Sequence, residues 1–335
     1  MQRQLLTDHP RFRGERDNTP RPNRPPRIAI VGTGMVGATA AYGILLSGLA
    51  AELILIDRDK RRAQAHADDL RDAQIFSHAS RIVVGDLSEC WDADIVLVTA
   101  GASQSSQNTS RLDNLKQSAA ILRSIIPAIA SQNASAIFVI ATNPVDVLTY
   151  AAWKWSGLPA SRVLGSGTSL DTSRLRRRLG EYYGVAPANV HAYIIGEHGD
   201  SQVPLLSSAQ LAGLPLTQFC AQQGLPCHDA LLKTIADKAR TGGRDILRAK
   251  GATYYGIGTA LARIVRSILR DEDAVMTISS LVPASMGLGE VCLSLPTILG
   301  RSGISRVVSP LLSADEQDAL ECSAELLKRH IAMVG

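Results

Sequence analysis

The chain has 335 residues, 45% of them apolar, which is enough to bury cores for two packed units of ordinary size. No stretch approaches the roughly 18 uninterrupted apolar residues of a membrane span, so we expect no membrane association. The five cysteines are scattered without C-x-x-C spacing, which favours free thiols in a reducing cytoplasm over a cysteine metal site or a disulfide framework.

The formal net charge of +4 arises entirely at the N-terminus. Residues 1–27 hold seven arginines and three acidic residues, so the rest of the chain is neutral. The same segment contains five of the fifteen prolines and few apolar residues. We predict that residues 1–26 form a disordered, solvated tail. An arm that binds nucleic acid or a membrane surface is the weaker alternative, and no such partner is expected.

The first predicted unit after the tail is a complete β-α-β segment. Residues 27–31 form a short apolar run typical of a buried parallel strand. The sequence Gly32-Thr-Gly-Met-Val-Gly37 follows, and then an alanine-rich helical segment that ends near Gly48. A second strand, residues 52–56, leads to Asp57. A glycine motif between a strand and a helix, with an acid about 20 residues further on, is the context that dinucleotide binding requires.

Each element of this motif has a physical role. Gly32 permits a tight turn, Gly34 lets backbone amides approach a pyrophosphate, and Gly37 lets the helix pack closely on the strand. The phosphates then lie at the helix N-terminus, which favours anions. Asp57 accepts hydrogen bonds from ribose hydroxyls and repels a 2′-phosphate, so we predict NAD as the cofactor. A glycine-rich turn without a dinucleotide is the alternative. Three nearby arginines weaken the preference for NAD over NADP: Arg58, Arg61 and Arg62.

The following residues alternate between helical and strand character. This alternation predicts an α/β fold with a doubly wound parallel Rossmann sheet, whose ligands lie beyond the strand ends. At those ends, Gly101 and Ala102 allow a second close approach to the cofactor, and Asn143 offers a donor and an acceptor to the crevice. The predicted elements are a helix over 60–73, strands over 81–84, 94–100 and 136–141, and a helix that begins near Arg111. Residues 103–110 are polar, and we expect a mobile loop that closes over substrate.

The second half has a different pattern. We predict a mixed α+β substrate domain over residues 166–335 and an NAD-binding domain over 27–165. Ser313 and Glu316 form a capping box that predicts the start of the last helix. The other predictions are a loop over 163–168, a helix over 171–183, a strand over 192–195, helical structure over 227–270 interrupted at 241–243, and an antiparallel sheet over 273–309.

Three residues of this half are candidates for chemistry, although each has an ordinary explanation. His198 could be a turn histidine, Asp171 a helix cap and Arg174 a solvated helix charge. Together with their neighbours, however, they fall in order on one pattern, and the sequence resembles the lactate and malate dehydrogenase family, in particular its bacterial lactate-specific members. The resembling segments are residues 32–37, Thr99-Ala-Gly-Ala102, Ala141-Thr-Asn-Pro-Val-Asp146, Gly165 to Arg174, His191 to Asp200 and Lys250-Gly-Ala-Thr-Tyr-Tyr-Gly256.

The resemblance implies an NAD-dependent enzyme that interconverts (S)-lactate and pyruvate. It makes His198 the general acid and base, with Asp171 as its partner, and Arg174 the group that binds the substrate carboxylate. Arg111 polarises the reacting carbonyl, and Asn143 contacts both substrate and nicotinamide. Thr253 lines the substrate pocket. The remaining cofactor contacts that the resemblance implies are Val36, Arg62, Ser124, Ala141, Ser166 and Ile257.

The loop after Gly101 bears on substrate choice in this family. Malate enzymes carry an arginine there, whereas Gln104 occupies that position here when the alignment runs from the strand. Aligned from Arg111, the position falls on Ser105, because this loop is one residue longer than in lactate enzymes. A second substrate carboxylate would then be buried unpaired, so we expect pyruvate and lactate. Malate or a larger L-2-hydroxy acid is the alternative substrate.

Arg176 and His191 match the pair that binds fructose 1,6-bisphosphate between subunits of the allosteric bacterial members. The resemblance therefore implies a homotetramer that this sugar bisphosphate activates. Two unrelated surface charges are the alternative. The related NAD- and metal-dependent glycosidases need a cysteine where this chain has Thr142, so we expect no metal. A non-catalytic NAD sensor is disfavoured because it would not need Arg111, Asp171, Arg174 and His198 together.

Overall fold

A computed structural model of the chain describes residues 25–102 and 111–334. The prediction of a disordered tail falls almost entirely outside this range. The prediction of a mobile loop over 103–110 lies outside it as well, as does the specificity position, whether that is Gln104 or Ser105. Arg111 is described only as the first residue of a helix, so the predicted contacts of its side chain also lie outside the described part of the chain.

Twelve strands in the described residues form two sheets. The larger sheet has nine strands in the order β12-β11-β10-β6-β5-β4-β1-β2-β3, and the smaller has the order β7-β8-β9. The strands are β1 Arg27–Val31, β2 Glu52–Ile56, β3 Arg81–Gly85, β4 Ile95–Val98, β5 Ile137–Ile140, β6 Val163–Gly165, β7 Val190–Ile195, β8 Val203–Leu211, β9 Leu214–Pro215, β10 Ala274–Leu281, β11 Cys292–Gly300 and β12 Gly303–Val307.

The helices of the described residues pack on both faces of the larger sheet and beside the smaller one. They are α1 Met35–Leu46, α2 Lys60–Ala73, α3 Arg111–Ala130, α4 Val145–Ser156, α5 Ser169–Tyr183, α6 Leu216–Gln223, α7 Asp229–Lys250, α8 Tyr255–Leu269 and α9 Ala314–Ile331. None of these helices is long and apolar enough to cross a membrane.

Strands β1 to β6 form a parallel sheet that is buried on both faces. Ile28 and Ile30 of β1 pack into the core formed with α1, α2 and α8, whereas Ala29 and Val31 pack into the core formed with α3 and α4. Alternate residues of a strand point to opposite faces, so an apolar run such as β1 can be covered on both sides. The strand order β6-β5-β4-β1-β2-β3 is that of the doubly wound dinucleotide-binding sheet, and this confirms the predicted fold class.

The antiparallel strands of the second half extend the same sheet. Strand β10 pairs antiparallel with β6, and β11 and β12 follow it to the edge. The prediction of a loop over 163–168 was wrong at its start, because residues 163–165 form β6 between β5 and β10. Gly165 is suited to this strand because a Cβ atom there would lie 2.3 Å from Oγ1 of Thr149. The glycine therefore marks close packing rather than a turn.

The predicted interruption at 241–243 was also wrong. Helix α7 runs without a break to Lys250, and the interruption comes afterwards, at Gly251 with φ +81°. Gly242 and Gly243 instead face α5, where a Cβ atom on Gly243 would lie 3.2 Å from Nη2 of Arg174. These glycines let the helix pass close to an arginine side chain.

Candidate active site

The glycine turn after β1 has the geometry that the motif predicts. Gly32 has φ +99°, which favours glycine, and its N–H donates to the carbonyl of Ile56 at 2.7 Å. A Cβ atom on Gly37 would lie 2.0 Å from the carbonyl oxygen of Gly32. The first turn of α1 therefore packs directly on the turn that precedes it, as the third glycine of the motif requires.

Gly34 differs from its two neighbours in the motif because it faces open space. A Cβ atom there would meet nothing within 4 Å, and Gly34 is the N-cap of α1 without a side chain that caps the helix. The first turn of α1 also contains no acidic residue. Free amides, a positive helix end and open space above Gly34 together fit a pyrophosphate, so the residues present fit a dinucleotide cofactor.

Asp57 at the end of β2 is buried and ionised. Burial alone would raise its pKa, but hydrogen bonds from the amides of Thr33 and Asp59 and from the guanidinium of Arg62 lower the pKa to about 2. Arg62 donates to Oδ1 at 2.7 Å, and Thr33 donates to Oδ2 from its amide at 2.7 Å. The charge of Arg62 is therefore paired with Asp57, which favours NAD over a cofactor with a 2′-phosphate.

The ends of β4 and β5 lie against each other. A Cβ atom on Gly101 would lie 2.4 Å from Cγ2 of Thr142, so only glycine allows this approach. Ala102 donates its amide to Oγ of Ser118 at 3.1 Å. Asn143 follows Thr142 and is exposed, and its peptide bond to Pro144 is cis. These residues line the carboxyl edge of the sheet, where ligands of such folds bind.

The smaller sheet and α5 bring His198 to Asp171. His198 lies in the turn after β7, and Asp171 lies in the first turn of α5, where a helix N-terminus favours a carboxylate. Nδ1 of His198 lies 2.5 Å from Oδ2 of Asp171. Since a carboxylate only accepts hydrogen bonds, Nδ1 carries the proton and Nε2 is left to exchange one.

The second oxygen of Asp171 holds Arg174. Nη1 of Arg174 donates to Oδ1 at 2.8 Å, and the Asp171 side chain is only 3% exposed. Burial would raise the pKa of Asp171, but the charges of His198 and Arg174 reverse this, and the pKa lies below its usual value. One ionised carboxylate therefore fixes an imidazole and a guanidinium at the same time.

The protonated form of His198 is favoured in this environment. Burial lowers the pKa of its imidazole, but the nearby charge of Asp171, its hydrogen bond and the charge of Asp146 raise the pKa to about 9. The side chain is 29% exposed, so part of the ring is accessible. At neutral pH the residue can therefore donate a proton.

A cavity of about 370 Å³ lies between α5, α7 and α8. Its lining includes Arg174, Thr253 and Ile257, which the sequence predicted as substrate and nicotinamide contacts, together with Gly242 and Ile246. His198 is not among the lining residues, although it is joined to Arg174 through Asp171. The cavity thus adjoins the three-residue cluster rather than enclosing it.

The other predicted cofactor contacts are not all brought together. Val36, Ala141 and Ile257 pack at the edge of one hydrophobic cluster, on the α1 and α8 side of the sheet. Ser166 is buried after β6, with its amide bonded to the carbonyl of Ile140. Ser124 lies exposed on α3, where its hydroxyl donates to the carbonyl of Ile121 rather than facing the glycine turn.

The predicted effector residues are neighbours in the fold. Nε of Arg176 on α5 donates to the carbonyl of Ala192 on β7 at 2.9 Å, and its guanidinium lies 4.9 Å from the centre of the Tyr193 ring. His191 precedes Ala192 on the same strand and is exposed. Arg176 of α5 therefore contacts the residue that follows His191 on β7.

Sequence reasoning missed two residues of the site. Thr33 lies inside the glycine motif at a position that the motif leaves free, yet it binds Asp57 through both its amide and its hydroxyl. Asp146 follows the Asn143-Pro144 pair and accepts the backbone N–H of His198 at 2.7 Å. An acidic residue in the first buried turn after a predicted active-site asparagine was the signal that could have drawn attention to Asp146.

A dinucleotide crevice and a histidine that is poised as an acid beside a half-buried arginine define an NAD-dependent dehydrogenase. Comparisons with known proteins agree with this class. Residues 26–165 match the family model for the "lactate/malate dehydrogenase, NAD binding domain", and residues 168–334 match the model for its alpha/beta C-terminal domain. The chain therefore belongs to the lactate/malate dehydrogenase family, and the prediction of NAD as the cofactor is confirmed.

Individual relatives cover nearly the whole chain. The L-lactate dehydrogenase of Geobacillus thermodenitrificans is 42% identical over 307 residues, which are 91% of this chain and 96% of that protein. The L-lactate dehydrogenase of Thermus aquaticus is 43% identical over 309 residues, 92% of this chain and 99% of the relative.

Solved structures of similar proteins agree over the same span. A minor L-lactate dehydrogenase from Enterococcus mundtii superposes with a TM-score of 0.89 at 37% identity, covering 93% of this chain and 99% of that one. A lactate dehydrogenase enzyme from a Medee basin deep-sea metagenome library gives a TM-score of 0.87 at 38% identity, with the same coverage.

Proposed function

We propose that this protein is an L-lactate dehydrogenase that interconverts (S)-lactate and pyruvate. His198 is the general acid and base, Arg174 binds the substrate carboxylate, and Asn143 contacts substrate beside it. Arg111 polarises the reacting carbonyl, and Thr253 lines the pocket. NAD, when bound in the crevice at the glycine turn, supplies or accepts the hydride.

The observation that carries this proposal is the division of the Asp171 carboxylate between two partners. One oxygen holds Nδ1 of His198, and the other holds Nη1 of Arg174, at 2.5 and 2.8 Å. A 2-oxo acid has a carbonyl next to a carboxylate, so it needs a proton donor and an anion-binding group at a fixed separation. A single buried carboxylate that positions both groups meets this need.

The protonation state of the ring fits reduction of the ketone. With a pKa of about 9, His198 is protonated at neutral pH and can donate from Nε2 to a carbonyl oxygen that becomes an alcohol. Asp171 stays ionised throughout and stabilises the imidazolium. In the reverse direction the ring must be neutral to accept the alcohol proton, so oxidation of lactate requires a higher pH.

The test is oxidation of NADH by the purified protein with a panel of 2-oxo acids. We expect pyruvate to give the highest kcat/KM, with oxaloacetate far lower. Equal or faster turnover of oxaloacetate would contradict the lactate proposal without changing the reaction class. No oxidation of NADH with any 2-oxo acid would contradict the proposed function itself.

A larger 2-oxo acid is the second candidate substrate, and one observation favours it. The cavity beside Arg174 has a volume of about 370 Å³, and Gly242 and Ile246 are among the residues that line it. The same panel tests this candidate, because 2-oxoisocaproate carries a branched apolar side chain. A higher kcat/KM for that acid than for pyruvate would support the larger substrate.

We further propose a homotetramer that fructose 1,6-bisphosphate activates through Arg176 and His191. Their proximity on α5 and β7 supports a shared anion site, since a guanidinium and an imidazole both bind phosphate. Pyruvate saturation curves should shift to lower KM with the sugar bisphosphate. Identical curves would contradict the activation, and light scattering of the purified protein tests the tetramer.

Two organisational predictions also stand as proposals. We propose an NAD-binding domain over 27–165 and a substrate domain over 166–335, although β6 and β10 join both parts in one sheet. We also propose the cytoplasm as the location, because all five cysteines of the chain are free. Limited proteolysis and fractionation of cells test these two proposals respectively.

A further inference from the structure

A second carboxylate touches the loop that carries His198. Asp146 lies in the first turn of α4, two residues after Pro144, and is only 1% exposed. Its Oδ2 accepts the backbone N–H of His198 at 2.7 Å. The carboxylate therefore links the Asn143 turn directly to the main chain of the histidine.

This link completes a series of anchors on the loop. Gly196 exchanges two backbone hydrogen bonds with Ser294 of β11, both at 2.9 Å, and the amide of Glu197 donates to Oγ of Ser323 on α9 at 2.9 Å. The amide of His198 is the next in sequence and is held by Asp146 on α4. Three successive residues are thus fixed to three different elements, while Asp171 fixes the ring.

Asp146 is buried at an energetic cost that its packing does not explain. The backbone N–H of His198 and the hydroxyl of Ser279 on β10 face its carboxylate, and neither of them carries a compensating charge. Burial raises the pKa of Asp146 to about 6, against the lowering effects of Ser279 and His198. The group is therefore mostly ionised at neutral pH, in a place where a neutral residue would cost less. Buried charges of this kind are frequent at functional sites.

We propose that Asp146 is a positioning residue for His198, which fixes the main chain of the histidine relative to Asn143 and favours the protonated ring through its charge. The inference rests on the proposed function, because it assigns Asp146 a role in the acid and base chemistry of His198. It concerns neither cofactor nor substrate contact.

The sign of the effect follows from the charges that face His198. Asp171 and Asp146 both favour the imidazolium, whereas Arg174 opposes it. Glu197 lies next to His198 in the loop and its charge raises the pKa of Asp146, whose own charge in turn raises the pKa of the Cys292 thiol on β11. Neutralising Asp146 therefore lowers the pKa of His198. The remaining charges of this loop are paired: Asp200 lies 3.8 Å from Arg240 and 3.4 Å from Arg244, both on α7.

Two substitutions separate the two parts of the role. Asp146→Asn keeps an oxygen that can accept the N–H of His198 but removes the charge, whereas Asp146→Ala removes both. Glu290→Gln is the matched control, because it removes an exposed carboxylate that pairs with Lys154 at the other end of α4. The direct readout is titration of the His198 ring by NMR of the isotope-labelled full-length protein, with His198→Gln used to assign the signal.

We expect Asp146→Asn to lower the pKa of His198 by about one pH unit, the size that an opposite charge within a few ångströms produces. Pyruvate reduction should then lose activity at a correspondingly lower pH, with kcat at acidic pH close to that of the unchanged protein. Asp146→Ala should in addition lower kcat at every pH by about tenfold or more. Asp146→Asn should not show this decrease, because asparagine can still accept the N–H of His198. Glu290→Gln should change neither.

An unchanged ring titration in Asp146→Asn would overturn the electrostatic part of the proposal. Equal kcat in the alanine and asparagine variants would overturn the positioning part. Ser279→Ala provides a second test that leaves Asp146 in place. The substitution should raise the pKa of Asp146, so that less of this carboxylate is ionised at neutral pH, and the pKa of His198 should fall as a result. If the protein failed to reduce pyruvate, the proposed function would be contradicted. The titration of His198 needs no substrate, so it would still test the effect of Asp146 on the ring.

Discussion

Replacing Asp171 with asparagine is the perturbation with the clearest expected consequence. Asparagine has nearly the same shape, but it carries no charge and presents an N–H group to one of its two partners. Either His198 or Arg174 then faces a donor where it previously met an acceptor. Both the protonation of the ring and its orientation should suffer.

The size of the effect follows from the charges around the ring. The pKa of His198 is about 9, compared with 6.5 for an ordinary histidine. Without Asp171, burial and Arg174 both lower the pKa and only Asp146 raises it, so we expect the pKa to fall to 6.5 or below. At neutral pH the protonated fraction then falls from about 99% to about a quarter or less. Lost orientation should bring the total decrease in kcat/KM to about 10² or more.

The assay is kcat/KM for pyruvate reduction across a range of pH. The unchanged protein should keep a plateau up to a pH near 9, and the variant should begin to lose activity below neutral pH. Glu181→Gln is the control, since it removes an exposed charge from the same helix, α5. NADH binding, followed by fluorescence, should be unchanged in both variants. If Asp171→Asn kept the plateau of the unchanged protein, the assignment of the Asp171 cluster as the acid and base machinery would be refuted.

Four further predictions follow from the site and its surroundings. Arg174→Lys should raise KM for pyruvate by about tenfold or more with little change in NADH affinity, because lysine cannot form two parallel bonds to a carboxylate; an unchanged KM would contradict the role of Arg174. Gly37→Ala should lower the melting temperature, because its Cβ would lie 2.0 Å from the carbonyl oxygen of Gly32, whereas Gly34→Ala should leave the melting temperature unchanged and weaken NADH binding. Equal melting temperatures for the two variants would contradict the close packing at Gly37. Lactate oxidation should increase as pH rises to about 9, since the neutral ring is required, while pyruvate reduction should keep its plateau until near pH 9 and fall above it. Parallel pH profiles for the two directions would exclude a single acid and base. The pKa of Asp146 in the folded protein is about 6, above its usual value, so its contribution to the free energy of unfolding is present at acidic pH and is lost as pH rises through 6. Asp146→Asn should therefore raise the melting temperature at about pH 8 but not at about pH 4. A lower melting temperature of the variant at both pH values would contradict this prediction.

Much of the nucleotide-binding half could be predicted from local sequence. Strand β1 and helix α2 have the predicted bounds, 27–31 and 60–73, and Gly48 ends α1 with φ +59° as expected. The capping box of Ser313 and Glu316 is present at the start of α9. These features depend on apolar periodicity, helix caps and glycine conformations, and each of these is written in a few consecutive residues.

The errors concern glycines whose role depends on distant partners. Gly165 was read as part of a loop, but it lies in β6 because Thr149 and Ser279 approach it. Gly242 and Gly243 were read as a helix break, but they allow α7 to pass close to Arg174. A glycine that ends an element and a glycine that admits a neighbour look the same in sequence, because the neighbour is far away in the chain.

The active-site cluster could be predicted only through the resemblance. Asp171 and His198 are 27 residues apart, and no local pattern indicates that α5 and the turn after β7 bring them within 2.5 Å. The division of Asp171 between His198 and Arg174 likewise depends on tertiary structure. Asp146 lies within a family motif, but the sequence does not predict its role, because its contact is with a backbone amide, which carries no sequence signal.

The most direct test of the account compares the rate of NADH oxidation by pyruvate in the unchanged protein, in His198→Asn and in His66→Asn. His66 lies on α2 and is not among the proposed acid and base residues, so it serves as the matched histidine substitution. The account predicts that the unchanged protein and His66→Asn turn over equally, and that His198→Asn loses about 10² to 10⁴ of kcat while it still binds NADH. Comparable kcat in all three proteins would contradict the assignment of His198 as the acid and base.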